Sequence, residues 1–190
     1  MRSMKWLVAL PIAAVAMTTN DAVATPSACD AVPGNLVVNC GFENGSTGWS
    51  GAPQDDTLPH TGLYSSVFEG FSGAFTSPSQ TINGLTVGQS YDVSFWAQNA
   101  DVPGSVLTVT LGTDTIFTNL VVPASYIQYT TTDTARASSE VLTFQGTGYG
   151  YIDDVVITQQ AAPAIPEPAS LVVTGAGLAG LAGLRRRRAA

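Results

Sequence analysis

From Asn35 to Thr158 the chain is built of short runs in which apolar and polar residues alternate, cut by Gly, Pro, Asn and Ser. No run keeps the three-to-four-residue period of an amphipathic helix. The alternation predicts strands at residues 36–39, 65–69, 73–75, 79–82, 90–99, 106–111, 116–121, 127–132, 141–145 and 151–158. Strands this short and numerous, joined by turns such as Gly84-Leu85-Thr86-Val87-Gly88, fit an all-β, two-sheet antiparallel sandwich of the jelly-roll kind. The longest run carries the most information. Tyr91, Val93, Phe95 and Ala97 fall on one face of 90–99, and Asp92, Ser94, Trp96 and Gln98 on the other. Trp96 therefore sits among polar neighbours, outside the expected core, either as an exposed stacking face or packed beneath a covering loop, and Asn99 closes the strand.

The two ends of the chain follow different rules. Arg2 and Lys5 precede an uncharged run from Trp6 to Met17, and Ala22-Val23-Ala24 supplies a small-residue cleavage site, so residues 1–24 read as a secretory signal helix. At the other end Pro166, Glu167 and Pro168 close a linker at 161–168. An apolar, Gly-rich segment follows within 169–190 and ends in Arg185, Arg186, Arg187 and Arg188. A cluster of arginines after an apolar helix halts translocation and leaves the preceding domain across the membrane. This three-part tail resembles the PEP-CTERM sorting signal. The resemblance implies a Gram-negative source, a transient inner-membrane anchor, and an exosortase-type membrane protease as partner. It also implies a mature protein at the cell surface or in the extracellular matrix. Gly175, Gly177 and Gly180 satisfy a dinucleotide-binding glycine pattern, but no strand precedes them, and close helix approach in lipid accounts for them better.

Charge narrows the partners of the central domain, residues 25–160. The 190-residue chain has a formal charge of −7, and six of its seven basic residues lie at the ends, leaving Arg136 alone between them. Such an acidic domain lacks the basic footprint that nucleic acid requires. Cys29 and Cys40 are the only cysteines. In an exported chain a pair at this spacing most simply forms a disulfide; metal binding and redox chemistry are the weaker readings.

A second resemblance spans the domain. Asn35 to Gly45 with Trp49, then Pro59-His60-Thr61-Gly62-Leu63-Tyr64-Ser65, then Gln80 to Leu85 with Gly88 to Trp96, and finally Tyr151 to Ile157, follow the order found in galactose-binding-like jelly rolls of the carbohydrate-binding-module type. It implies a structural Ca2+ held by Glu43 and Asp153, with Asp154 as alternate and carbonyls from Thr61-Gly62. The plainer alternative is that Glu43 caps a turn and the two aspartates face solvent at a sheet edge.

Catalysis is poorly supplied. His60 is the only histidine, and a turn role suits it beside Pro59. The neighbours Asp55-Asp56 and Asp153-Asp154 are expected on opposite strand faces, where they make no acid/base pair. Sugar binding needs exposed aromatic faces beside amides, and Trp96, Gln98, Asn99 and Tyr149, which lies between two glycines, are the candidates; Trp49 is expected to plug the core. The reading is a non-enzymatic, exported domain that binds extracellular polysaccharide. A structural matrix or adhesin protein, or a glycan hydrolase with carboxylates that meet only after folding, stays open.

Overall fold

A computed structural model describes residues 26–71 and 74–161. The expected signal helix, the Pro166-Glu167-Pro168 motif, the apolar segment and Arg185 to Arg188 lie outside the described residues. Among the described residues no helix is long and apolar enough to cross a membrane.

Among the described residues, after a short 3-10 turn at Ala28–Ala31, the regular elements are strands: β1 (Gln54–Asp55), β2 (Ser65–Phe71), β3 (Ala74–Thr76), β4 (Ser79–Asn83), β5 (Ser90–Asn99), β6 (Val106–Leu111), β7 (Asp114–Val121), β8 (Ile127–Thr134) and β9 (Ser139–Gln159). Every pairing is antiparallel. Sheet I runs β1-β2-β9-β5-β8, with β3 also on β2. Sheet II runs β4-β9-β6-β7. The two-sheet sandwich expected from the alternation is the fold.

One strand belongs to both sheets. Residues 139–147 of β9 pair with β4 and β6, and residues 148–159 pair with β2 and β5. The strands expected at 141–145 and 151–158 are thus one element. Gly148 marks the crossing: its φ is +87°, a conformation that side chains disfavour, and an added Cβ there would collide with Ser105.

The run 36–39 is not a strand. Asn39 and Phe42 take positive φ (51° and 60°), which breaks the extended path. Instead the Gln80 side chain imitates a neighbouring strand: Val38 N donates to Gln80 Oε1, and Gln80 Nε2 donates to Val38 O, both at 2.8 Å. An amide side chain thereby gives the Val38 backbone the two hydrogen bonds that a neighbouring strand would supply.

Between the sheets, Phe95 is the hub of an aromatic cluster. Its ring centroid lies 5.0 Å from that of Phe144, 5.4 Å from Tyr129 and 5.5 Å from Phe117. Trp49 is buried as expected, against Phe42 at 4.9 Å and Phe144 at 6.2 Å.

Cys29 and Cys40 are disulfide-bonded, with Cα atoms 6.0 Å apart. The bridge ties the 3-10 turn to the segment that runs beside β9, where Val155 N donates to Cys40 O at 3.0 Å. Closing a loop of this length restricts the unfolded chain by about 3 kcal/mol. Reduction should therefore lower the melting temperature markedly, and a scan with and without reductant checks it; superimposable curves would contradict the expectation.

Candidate functional site

The outer face of sheet I, away from the core, carries the chemistry. On β5 the side chains of Asp92, Ser94, Trp96 and Gln98 point outward, opposite Thr132, Thr130 and Gln128 of β8, which pair with Asp92, Ser94 and Trp96. The segment 55–64 folds over one end of this face. Tyr126 Oη clasps it by donating to Leu58 O at 2.7 Å. Burial, then the charge of Asp153, raise the Tyr126 hydroxyl far above its usual range, so it stays a donor.

His60 is the centre of this cover. Its ring stacks on Trp96 with centroids 3.9 Å apart and planes at 18°, and meets the Tyr126 edge at 5.1 Å. Its Nδ1 donates to Asp154 Oδ2 at 2.8 Å, and its backbone N to Asp153 Oδ2 at 2.8 Å. With its side chain 21% exposed, His60 links the covering loop to both Trp96 and Asp154.

The two neighbouring aspartates correct the expectation of opposite faces. Between Ser94 and Trp96 the β5-β9 register slips, so that β9 carries an extra residue, and Asp154 has φ +46°. Ile152 and Val155 stay in the core while Asp153 and Asp154 both turn toward the covering loop. A β-bulge of this kind re-aims side chains that strict alternation would separate. Both are buried, Asp153 fully. Asp154 Oδ1 accepts from Cys29 N at 3.1 Å and its Oδ2 from Thr61 Oγ1 at 2.7 Å. Asp153 Oδ2 also accepts from Thr61 N at 3.2 Å, and its Oδ1 from Asp154 N at 2.7 Å. Burial first, and the charge of Asp154 second, push the Asp153 carboxyl up to about 8.

Glu43 approaches from the other side. Its Oε1 accepts from Leu63 N at 2.9 Å, Tyr64 N at 3.0 Å and Ser27 Oγ at 3.4 Å, while its Oε2 is buried without a partner. Glycines keep the space between these acids open. A Cβ on Gly41 would collide with Ser27 Oγ and lie 3.6 Å from Asp153 Oδ1; one on Gly62 would collide with Glu43 Oε1 and lie 3.0 Å from Ser27 Oγ. An orphaned carboxylate oxygen, a cradle that side chains would fill and an all-oxygen donor set suit a hard cation. The acids stop short of a closed cluster. Among the described residues only Cys29, Asp30 and Cys40 bring three ligand atoms within 4.8 Å of one another, and those sulfurs are spent on the disulfide. A cation here would draw further oxygens from Ser27 and the loop carbonyls.

The expected sugar contacts separate into different environments. Trp96 is half-buried, one ring face under His60. Gln98 lies outward but buried, at 7% exposure. Asn99 has the parity of the core face; it is buried, and its Nδ2 donates to Val122 O at 2.8 Å. Tyr149 is half-buried against Tyr151, centroids 5.7 Å apart. Its carbonyl accepts from Ala100 N, which places it level with a residue four positions beyond Trp96, about 13 Å along the strand direction. Trp96 and Tyr149 are not one continuous platform, and neither Gln98 nor Asn99 faces solvent.

No protein-family profile matches the sequence, and no curated protein matches it. Solved structures do. The chain is similar to the C-terminal family 22 carbohydrate binding module of Clostridium thermocellum Xyn10B, with 16% identity, TM-score 0.55, and coverage of 67% of this chain and 96% of that one. It is also similar to the CBM22-1 xylan-binding domain of Paenibacillus barcinonensis Xyn10C, with 16% identity, TM-score 0.51 and coverage of 65% and 93%. The enzymatically active domain of tailspike protein 4 of bacteriophage CBA120 matches with 17% identity and TM-score 0.53, over 66% of this chain but 21% of that one. At such identities the likeness establishes the fold, a sandwich of the carbohydrate-binding-module kind.

Proposed function

We propose that this chain is an exported, non-enzymatic surface or matrix protein whose sandwich binds polysaccharide through the outer face of sheet I. The observation that carries the reading is Trp96: a large aromatic side chain placed outside the core, half-exposed, and held rigid by the His60 stack. Rigid aromatics lose little conformational freedom when a ligand stacks on them. Tyr126 meets the edge of the His60 ring and holds the loop at Leu58, Asn99 anchors residues 122–123 from the core side, and Tyr149 offers a separate secondary contact. The likeness to carbohydrate-binding modules, over nearly their whole length, favours the same ligand class.

Glu43, Asp153 and Asp154, which folding brings under the same loop without closing them into one cluster, lie beside Ser27, His60 and Thr61 and are engaged by backbone amides. That placement suits a structural Ca2+ on Glu43 and Asp153 that fixes the covering loop, more than an acid/base pair flanking a glycosidic bond. The ion would supply charge neutralisation. The chain's own part is to hold Asp153 and His60 in register with Trp96.

Affinity electrophoresis of the mature exported protein through gels carrying xylan, β-glucan or galactan tests the reading. Retention is expected for wild type and its loss for Trp96→Ala, since exposed stacking residues carry about 1–3 kcal/mol of ligand affinity. A second reading, a structural matrix protein without a glycan ligand, draws on the same stack, because His60 already occupies one face of Trp96. It becomes the better account if wild type is retained by no polysaccharide.

Export and sorting complete the proposal. In a host with an exosortase-type protease, intact mass of the exported protein should show loss of the tail. Glu167→Ala, or replacement of Arg185, Arg186, Arg187 and Arg188 by Ser, should leave it unprocessed. A wild-type product that keeps its tail would contradict the sorting reading.

A further inference from the structure

A sheet edge exposes backbone groups that can pair with another chain, and folded proteins blunt such edges with short strands, bulges, charges or covering segments. Among the described residues every sheet edge but one is blunted. β1 and β3, which end sheet I beyond β2, hold two and three residues. Along β4 the segment from Val38 to Ser50 covers the edge, through the Gln80 side chain and the Ser50–Ser79 bridge. β7 slips register twice against β6 and carries Asn119 at φ +48°. β8 is the exception. It runs for eight residues, pairs with β5 from Ser90 and Thr134 to Ala97 and Ile127 without a slip, and contains no Pro, Lys, Arg or positive φ. Among the described residues no strand lies on its other side. Its single charge, Asp133, is opposite Tyr91 and so has the parity of the core face, with Oδ2 buried and unpartnered.

We infer that β8 pairs with β8 of a second copy of this chain, antiparallel about a twofold axis, so that sheet I continues through both molecules. The strand is complementary to itself. With Thr131 on the axis, Thr130 lies opposite Thr132 of the second copy, Gln128 opposite its Thr134, and Ile127 opposite its Ala135. Threonine and amide side chains make favourable cross-strand pairs. In the same register Asp133 meets Tyr129 of the second copy, which avoids setting two carboxylates opposite each other. Apolar surface flanks the edge as well. Ile127 is 44% exposed, and Val121, whose carbonyl accepts from Tyr129 Oη at 3.1 Å, is 68% exposed. A twofold contact of this kind closes at two molecules and does not propagate. Because the axis stands perpendicular to the sheet, both outer faces look the same way. The pairing does not depend on what those faces bind; if they bind polysaccharide, one surface carries both Trp96 side chains and gains by avidity. Charge opposes the pairing, since Arg136 is the one basic residue between Lys5 and Arg185 and each domain is strongly acidic.

Sedimentation velocity of the mature protein over a concentration series tests it. The expected result is a monomer–dimer equilibrium that is several-fold tighter in about 0.5 M NaCl than in about 0.05 M, because salt screens the repulsion between two acidic domains. Thr130→Lys/Thr132→Lys, which sets like charges across the pair, should weaken the dimer at least tenfold at an unchanged melting temperature. Asp133→Asn, which removes the one charge on the strand, should tighten it several-fold. Under mild oxidation Thr131→Cys should give a covalent dimer, since residues directly opposite stand about 4.5–5.5 Å apart at Cβ, near the reach of a disulfide. Cys29 and Cys40, buried and bonded to each other, do not compete. Thr81→Cys, exposed on β4, should stay uncrosslinked. Should the lysine variant melt early, the two cysteine variants decide. A wild type that stays monomeric at every concentration in high salt overturns the inference. So does a dimer that the lysine variant leaves unchanged, or one that crosslinks through Thr81→Cys as readily as through Thr131→Cys.

Discussion

Phe95→Ala should cost about 3–5 kcal/mol of stability, and Trp96→Ala, one residue further along the same strand, no more than about 1–2 kcal/mol. Phe95 is fully buried and touches three other aromatic rings between the sheets, so its removal leaves a cavity that the stiff surrounding strands cannot close. Trp96 points the other way, and its truncation forfeits chiefly the His60 stack and part of the loop's footing. For a domain of this size the first loss lowers Tm by roughly 10–20 °C and the second by a few degrees. Thermal scans of the two variants check it. Equal losses would mean that Trp96 is core and that the outer face of sheet I is not a ligand surface.

The second large effect concerns the acids under the loop. Burial and the charge of Asp154 lift the Asp153 carboxyl to about 8, against an ordinary value near 3.8. With the folded value above the unfolded one, the folded state holds the extra proton between the two. The contribution of this group is full below about pH 4, declines as pH rises, and is gone above about pH 8. Metal-free protein should therefore lose stability from pH 5 to pH 8.5. Calcium bound at the proposed site would act in the opposite sense, because it takes the ionised carboxylate, and at a hundredfold excess over Kd it would add about 2.7 kcal/mol. Its stabilisation should be larger at pH 8 than at pH 5. Asp153→Asn removes both the pH slope and the calcium response. It also melts earlier throughout, since one amide oxygen cannot accept from His60, Thr61 and Asp154 as the two carboxylate oxygens do. Glu43→Ala should lose the calcium response and keep the pH slope. Melting curves of wild type that coincide in calcium and in chelator at pH 8 would remove the ion from the account.

These two tests also mark what a reading of the sequence reaches. The strands at Ser90–Asn99 and Val106–Leu111 were legible to the residue, because each has one face in the core and alternation then leaves a direct imprint on residue type. The same parity puts Asn99 on the core face with Tyr91 and Phe95, and only its polar side chain argued otherwise. Its amide is buried to hold Val122 O, a partner 23 residues away. The run 36–39 looked like a strand because its side chains are apolar; nothing local shows that Gln80, 42 residues on, supplies the hydrogen bonds a neighbouring strand would give. The bulge at Asp154 is equally silent, since two acids in sequence carry no sign of an inserted residue. Glu43 and Asp153 could be brought together only through the likeness to known jelly rolls, whereas the His60 link to Asp154 spans 94 positions and leaves no mark in the chain. What escaped the sequence is long-range pairing by polar side chains, and the candidate site is made of it.

The account stands most directly on whether a glycan reaches Trp96. Residues 25–160 hold two tryptophans, Trp49 deep in the core and Trp96 at the outer face. Titration of the calcium-loaded protein with neutral xylo- or gluco-oligosaccharides, followed by tryptophan emission, should give a saturable change that is abolished in Trp96→Ala at an intact melting transition. Emission that stays flat with every neutral oligosaccharide, or a saturable change that persists in Trp96→Ala, would contradict it.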